Sequence, residues 1–201
     1  MDSWSQLFMN LARNLDHEEI DEFLMHLHSS TTRRLNKLDE ENKNLTENEF
    51  EHPEDMHFYK DHLFDQAIAT EAARNLGNQL SIVALYKKVE LQTSRMIKEL
   101  IPEAASKNLS YFNQLSNILP FDIKTLNGFS SFDELRLLNN SIKHGSIVSS
   151  ELAKNYPDWR VKSEIEKIDG AYERLLPGVK QYVFDMGTRL YSNKNPSFSQ
   201  S

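Results

Sequence analysis

The chain has 201 residues, a mass of 23.4 kDa, a formal net charge of −7 and no cysteine, which excludes disulfides and thiolate metal sites. Only 6 Gly and 6 Pro punctuate it, too few turn residues for a protein of many short strands, so composition reads as all-α, a helical bundle with long antiparallel helices. Charge is uneven: residues 1–123 carry 12 Lys and Arg against 21 Asp and Glu, and residues 124–201 carry 11 against 9. That balance argues against coating nucleic acid through a general basic field, but it permits a local basic site in the C-terminal part.

The start, Met1 to Gln6, lacks the basic residues and apolar run of a signal peptide, and no apolar stretch approaches the roughly 18 residues of a membrane span. The expectation is a cytoplasmic protein with no membrane partner. Trp4, Leu7, Phe8, Leu11 and Leu15 keep a helical period. Asp16 and Glu19 then form a capping box that opens a helix with apolar positions at Ile20, Phe23, Leu24, Leu27, Leu35 and Leu38. Ser29 to Thr32 predicts a bend or break in it. Residues 39–55 are strongly acidic, with Lys43 their one Lys or Arg, and read as an exposed linker or a mobile loop, and as the segment a protein partner would meet if the chain were an interaction module. Pro53, Glu54 and Asp55 make a good helix entry. The helical pattern then runs from about Asp55 to Leu100, with Gly77 as a predicted split or kink. Glu90 lies beside its apolar stripe, either facing a polar centre or pairing with Lys87 or Arg95.

Pro102 ends that helix, and residues 109–119 predict a short one stopped by Pro120. The stretch from Ser131 to Gly145 is the most informative. Ser131 with Glu134 reads as a capping box and Gly145 as a left-handed stop. Phe132, Leu135, Leu138 and Ile142, widened by Leu137, fall at core-facing spacing, while Arg136, Asn140 and His144 share another face. One helical turn is expected over Glu151 to Asn155, and a closing helix over Asp169 to Tyr191, kinked by Pro177 and Gly178. The tail from Ser192 has little to bury and is expected to be disordered. The domain reading is N-terminal helices and acidic linker over 1–52, a helical bundle over 53–191 and a tail over 192–201.

Neither His26 with His28 nor His57 with His62 has the four-residue spacing that aims two imidazoles at one metal, so no metal is predicted. No phosphate loop, dinucleotide fingerprint or nucleophile elbow occurs, and no cofactor is implied. Lys154, Tyr156, Trp159, Arg160 and Lys162 form the candidate nucleic-acid surface, cations holding phosphates and aromatics stacking bases. The other reading of this segment is a loop pinned to the core by its aromatics.

A helix ending in Asn139, Asn140, Lys143, His144 and Gly145, preceded by a long helix with a mid-helix Glu90, resembles the HEPN superfamily, the higher eukaryotes and prokaryotes nucleotide-binding domains. The resemblance implies a small helical bundle, often dimeric, of a kind frequently found as metal-independent RNases in toxin–antitoxin and antiviral defence. Their motif is an Arg, usually followed by a polar residue, then a His after four to six intervening residues. His144 fits the His and Asn139 the polar residue. The Arg should then stand at position 138, where this chain has Leu. Arg136 is the nearest substitute, about 200° away on an ideal helix. In an RNase, His144 would serve as general acid or base. Arg136 or Lys143 would stabilise phosphate charge, Asn139 or Asn140 would orient the phosphate or the imidazole, and two facing copies would complete a cleft. The resemblance thus implies RNA as a partner and either a weak RNase or a non-catalytic relative. The alternative is a helical protein-interaction module, a regulator or immunity partner.

Overall fold

In a computed structural model that describes residues 10, 13–165 and 168–194, the described residues form six α-helices and no strand. They are α1 (Glu18–Asn44), α2 (Pro53–Leu100), α3 (Phe112–Ile118), α4 (Phe129–Lys143), α5 (Ser150–Asn155) and α6 (Ala171–Lys194), as the low Gly and Pro content requires. The first apolar run lies largely outside the described residues, as do residues 195–201.

The chain divides into two compact units, and the division falls inside α2. One unit comprises Glu18–Ser81 with residues 168 and 169; its body is α1 and the first half of α2. These helices run antiparallel, since His28 bonds Asn78 whereas Arg34 bonds Gln66 and Glu41 accepts from Tyr59. Three expectations are corrected here. Ser29 to Thr32 does not break α1, because Thr31 turns its hydroxyl back onto the Leu27 carbonyl at 2.8 Å and fills the donor need locally. Residues 39–44 are helical, with Lys43 paired to Asp39 at 2.5 Å one turn earlier, so the connection shrinks to residues 45–52 and contains a 3₁₀ turn at Glu47–Glu49. Gly77 neither splits nor ends α2; the missing side chain lets α1 approach, and a methyl group there would collide with the δ carbons of Leu27.

The other unit contains Ile82–Ile165 and the chain from Gly170 onward, together with the described residues up to His17. Its core is built by the second half of α2 (Ile82, Leu85, Val89, Met96), by α4 (Phe132, Leu135, Leu138) and by α6 (Leu175, Val179, Tyr182, Met186), all buried. Each set repeats at three and four residues, which places it on one helical stripe. Phe132 stacks flat on Tyr182 with ring centroids 4.0 Å apart, and the Tyr86 ring lies 6.4 Å from it, tilted by 18°. The expected capping box at Ser131 and Glu134 is absent: α4 begins at Phe129, with Gly128 at φ 79° as its N-cap. Glycine is required there, because a Cβ would meet the Gly178 carbonyl and sit 2.8 Å from the Tyr182 nitrogen. α6 runs through Pro177 as one helix, and Gly178 within it leaves room for Ser131, so the start of α4 approaches α6 closely there. α6 continues to Lys194, taking in Ser192 and Asn193. The C-terminal stop of α4 is the one expected, with Gly145 at φ 109° and the Ser146 nitrogen bonded to the Ile142 carbonyl.

Candidate functional site

The polar residues of α4 fall into two groups according to what their neighbours demand. Arg136 is the better buried of the cations, its side chain 13% exposed. Its Nε and Nη2 donate to Asp133 Oδ1 at 3.0 and 2.8 Å, Nη2 reaches Glu151 at 3.4 Å, and the guanidinium lies over the Phe112 ring at 4.6 Å. A guanidinium held by two carboxylates and a ring is already neutralised locally, so it offers little to a phosphate. Asn139 is 1% exposed, with its amide nitrogen 3.4 Å from Asn140 Oδ1 and its own carbonyl oxygen enclosed. Leu138, where the resemblance places an Arg, is fully buried. Asn140, Lys143 and His144 are exposed, and His144 is the C-cap of the helix.

Glu90 combines both of its sequence readings. It takes the Lys87 ammonium at 2.7 Å, and yet its side chain is only 15% exposed. Burial pushes its carboxyl up, but hydrogen bonds from Lys87 and Ser110 and the charges of Lys87 and Lys143 outweigh that and hold it below the usual carboxylate range. The charge of the exposed Lys143 of α4 thus contributes, after Lys87 and Ser110, to holding the Glu90 carboxyl low. Beside Glu90 a cavity of about 10 Å³, lined with Tyr86, Thr93 and Phe132 among others, has the size of a single water. It is too small for a nucleotide or any other organic ligand.

The segment after α5 packs back onto α4 and the turn that follows it. An isolated bridge between Ile147 and Glu164, with Lys162 N donating to Val148 O at 3.1 Å, lays residues 160–165 beside the turn that leaves α4. Tyr156 and Trp159, expected to stack bases, are directed inward. The Tyr156 hydroxyl donates to the Ser130 carbonyl at 2.8 Å and contacts Asp133 Oδ2 at 3.2 Å. Burial, opposed by the Ser130 bond and reinforced by Asp133, pushes this phenol up to about 12. Trp159 Nε1 donates to Glu134 Oε1 at 2.8 Å, and the Arg174 guanidinium clasps the same carboxylate at 2.6 and 3.0 Å. Glu134, 7% exposed, is thereby a tie between α4, the 156–160 loop and α6. Lys154, Arg160 and Lys162 remain exposed.

The carboxylates that decide this arrangement, Asp133 and Glu134, were not candidate site residues. Asp133 and Arg136 stand three apart on a helix, a spacing that signals pairing. For Glu134 no local signal exists, since its partners lie 25 and 40 positions away. Among the described residues no cluster of three His, Asp or Glu could hold a metal, and no helix is long and apolar enough to cross a membrane. Comparisons with protein-family models, curated proteins and solved structures found no match.

Proposed function

We propose that this chain is a HEPN-like helical protein of the non-catalytic kind, acting in nucleic-acid-linked stress or phage defence by holding RNA rather than cutting it. The observation that carries this reading is the fate of the catalytic Arg. Its position, Leu138, is sealed in the core, and the nearest substitute, Arg136, is bound to Asp133 and stacked on Phe112. A transition-state phosphate needs a preorganised cation facing it, and neither residue meets that need. What α4 still presents to solvent, Asn140, Lys143 and His144, suits contact with a phosphate and a ribose edge. Lys162, laid beside the exit of α4, and Arg160 extend this basic edge. Tyr156 and Trp159 support it from behind instead of stacking bases.

The test is binding of a fluorescent single-stranded RNA pool in EDTA, followed by anisotropy across a salt series. Binding without cleavage is expected, weakened several-fold in the Lys143→Ala, His144→Ala double variant, with the salt slope reduced by about 0.7 for the lost lysine. Cleavage that leaves 2′,3′-cyclic phosphate ends and disappears in His144→Ala would establish an RNase and overturn the non-catalytic reading. A wild-type chain that binds no RNA in the pool would turn attention to the second reading, a helical interaction module. That reading is favoured by the exposed acids Glu47, Glu49 and Glu51 at the α1–α2 turn. Converting them to Gln would then abolish capture of a basic partner protein.

A further inference from the structure

The first half of α2 buries Met56 and Leu63, and its opposite face carries a strip of exposed large apolar residues interspersed with polar ones. Phe58, Phe64, Ile68, Leu76 and Leu80 are 71, 66, 53, 56 and 51% exposed. At about 100° per residue they fall within roughly 160° of one another, along a stripe about 33 Å long. With a Phe residue near 200 Å², the five leave on the order of 500 Å² of apolar surface in one strip, at the upper end of what monomers expose. That is about two-thirds of the ~800 Å² each partner contributes to a standard interface, and the polar residues along the strip make up much of the rest.

We infer that this face of α2 is a self-association surface whose occupant is the same face of a second copy of the chain, laid antiparallel about a two-fold axis near Thr70. The charges choose the direction. Asp61 and Asp65 occupy the N-terminal half of the strip, and the C-terminal half carries the uncharged amides Asn75 and Gln79. A parallel pair would set acid on acid. About a two-fold axis near residue 70, Asp65 faces the partner's Asn75 and Asp61 the partner's Gln79. The same axis places Phe64 against the partner's Leu76, and Ile68 against the partner's Ala72. Ala72 and the exposed Ala69 beside the axis allow the two backbones a close approach. The surface belongs to the unit formed by α1 and the first half of α2 and Lys143 to the other unit, and the two tests alter different residues, so the RNA reading and this one fail independently.

Sedimentation equilibrium of the full chain from 1 to about 100 μM is the experiment, with the Phe64→Glu, Ile68→Glu double variant beside it. Both residues are exposed, so the variant keeps its fold, which far-ultraviolet circular dichroism verifies. The expected result is twice the 23.4 kDa chain mass for the wild type and the single mass for the variant. Because the chain has no cysteine, orientation is read by oxidation. A mixture of Ile68→Cys and Ala72→Cys chains should cross-link to each other more than either does to itself. A wild-type monomer at every concentration overturns the inference and assigns the face to a different partner. A dimer indifferent to the double variant also overturns it, as does preferential Ile68→Cys self-linkage.

Discussion

Replacing Glu134 by alanine removes one carboxylate and three hydrogen bonds, from Trp159 at 2.8 Å and from Arg174 at 2.6 and 3.0 Å. A bond to a charged group contributes about 1.5–3 kcal/mol, and the indole N–H is left in a site built to receive an anion. The ion pair is discounted, because the Arg174 side chain is 53% exposed and recovers water. Lost packing under the 156–160 loop is small for a truncation at the edge of the core. The sum is about 2–4 kcal/mol, a fall in urea midpoint of about 1–2 M for a slope near 2 kcal/mol/M. The assay is urea unfolding followed by indole fluorescence in a Trp4→Phe background, which leaves Trp159 as the single indole of the 2 in the chain. Its emission should also shift to the red before the main transition as the loop loosens. A stability loss below about 0.5 kcal/mol, a midpoint shift of about 0.25 M, with unmoved emission would refute the role of this carboxylate as the tie between the loop, α4 and α6.

Three further perturbations follow from the same geometry. Installing the expected arginine with Leu138→Arg should unfold the bundle rather than create an RNase, because a fully buried position would receive an unpaired charge at a cost of several kcal/mol. A folded, RNA-cleaving Leu138→Arg chain would contradict this. Gly128→Ala should cost at least about 2 kcal/mol by urea midpoint, since φ 79° and the neighbouring Gly178 carbonyl both oppose a side chain; a neutral effect would show that α4 starts otherwise. The Glu90 carboxyl is held below its ordinary value near 4.5, so its stabilisation is complete above that pH and fades as pH falls through the lower folded value. The stability gap between wild type and Glu90→Gln should therefore be open at pH 7 and narrow as pH falls below 4.5, measured by urea unfolding at each pH; a gap that widens in acid would reverse the sign of the argument.

The all-α class and most of the helix inventory follow from local residue patterns. Helix formation answers to spacing and composition within a few turns, so the stripes of α4 and α6, the stop at Gly145 and the turn at Glu151 to Asn155 are legible, whereas in α2 a stripe read through Leu80 and Leu91 is wrong, since both are exposed and the helix buries Ile82, Leu85, Val89 and Met96 instead. Local signals also misled where a distant partner overrode them. Gly77 reads as a breaker until Leu27 fills the space it leaves. Ser131 and Glu134 have the spacing of a cap, but Glu134 is claimed by Trp159 and Arg174 from 25 and 40 positions away. The same holds for the functional residues. Their types were readable, but whether an arginine faces solvent or a carboxylate, and whether an aromatic stacks a base or anchors a loop, depends on which surfaces meet. Burial and charge pairing between segments far apart in the chain are properties of the tertiary structure, and here they spent Arg136, Tyr156 and Trp159 inward while leaving Lys143 and His144 at the surface.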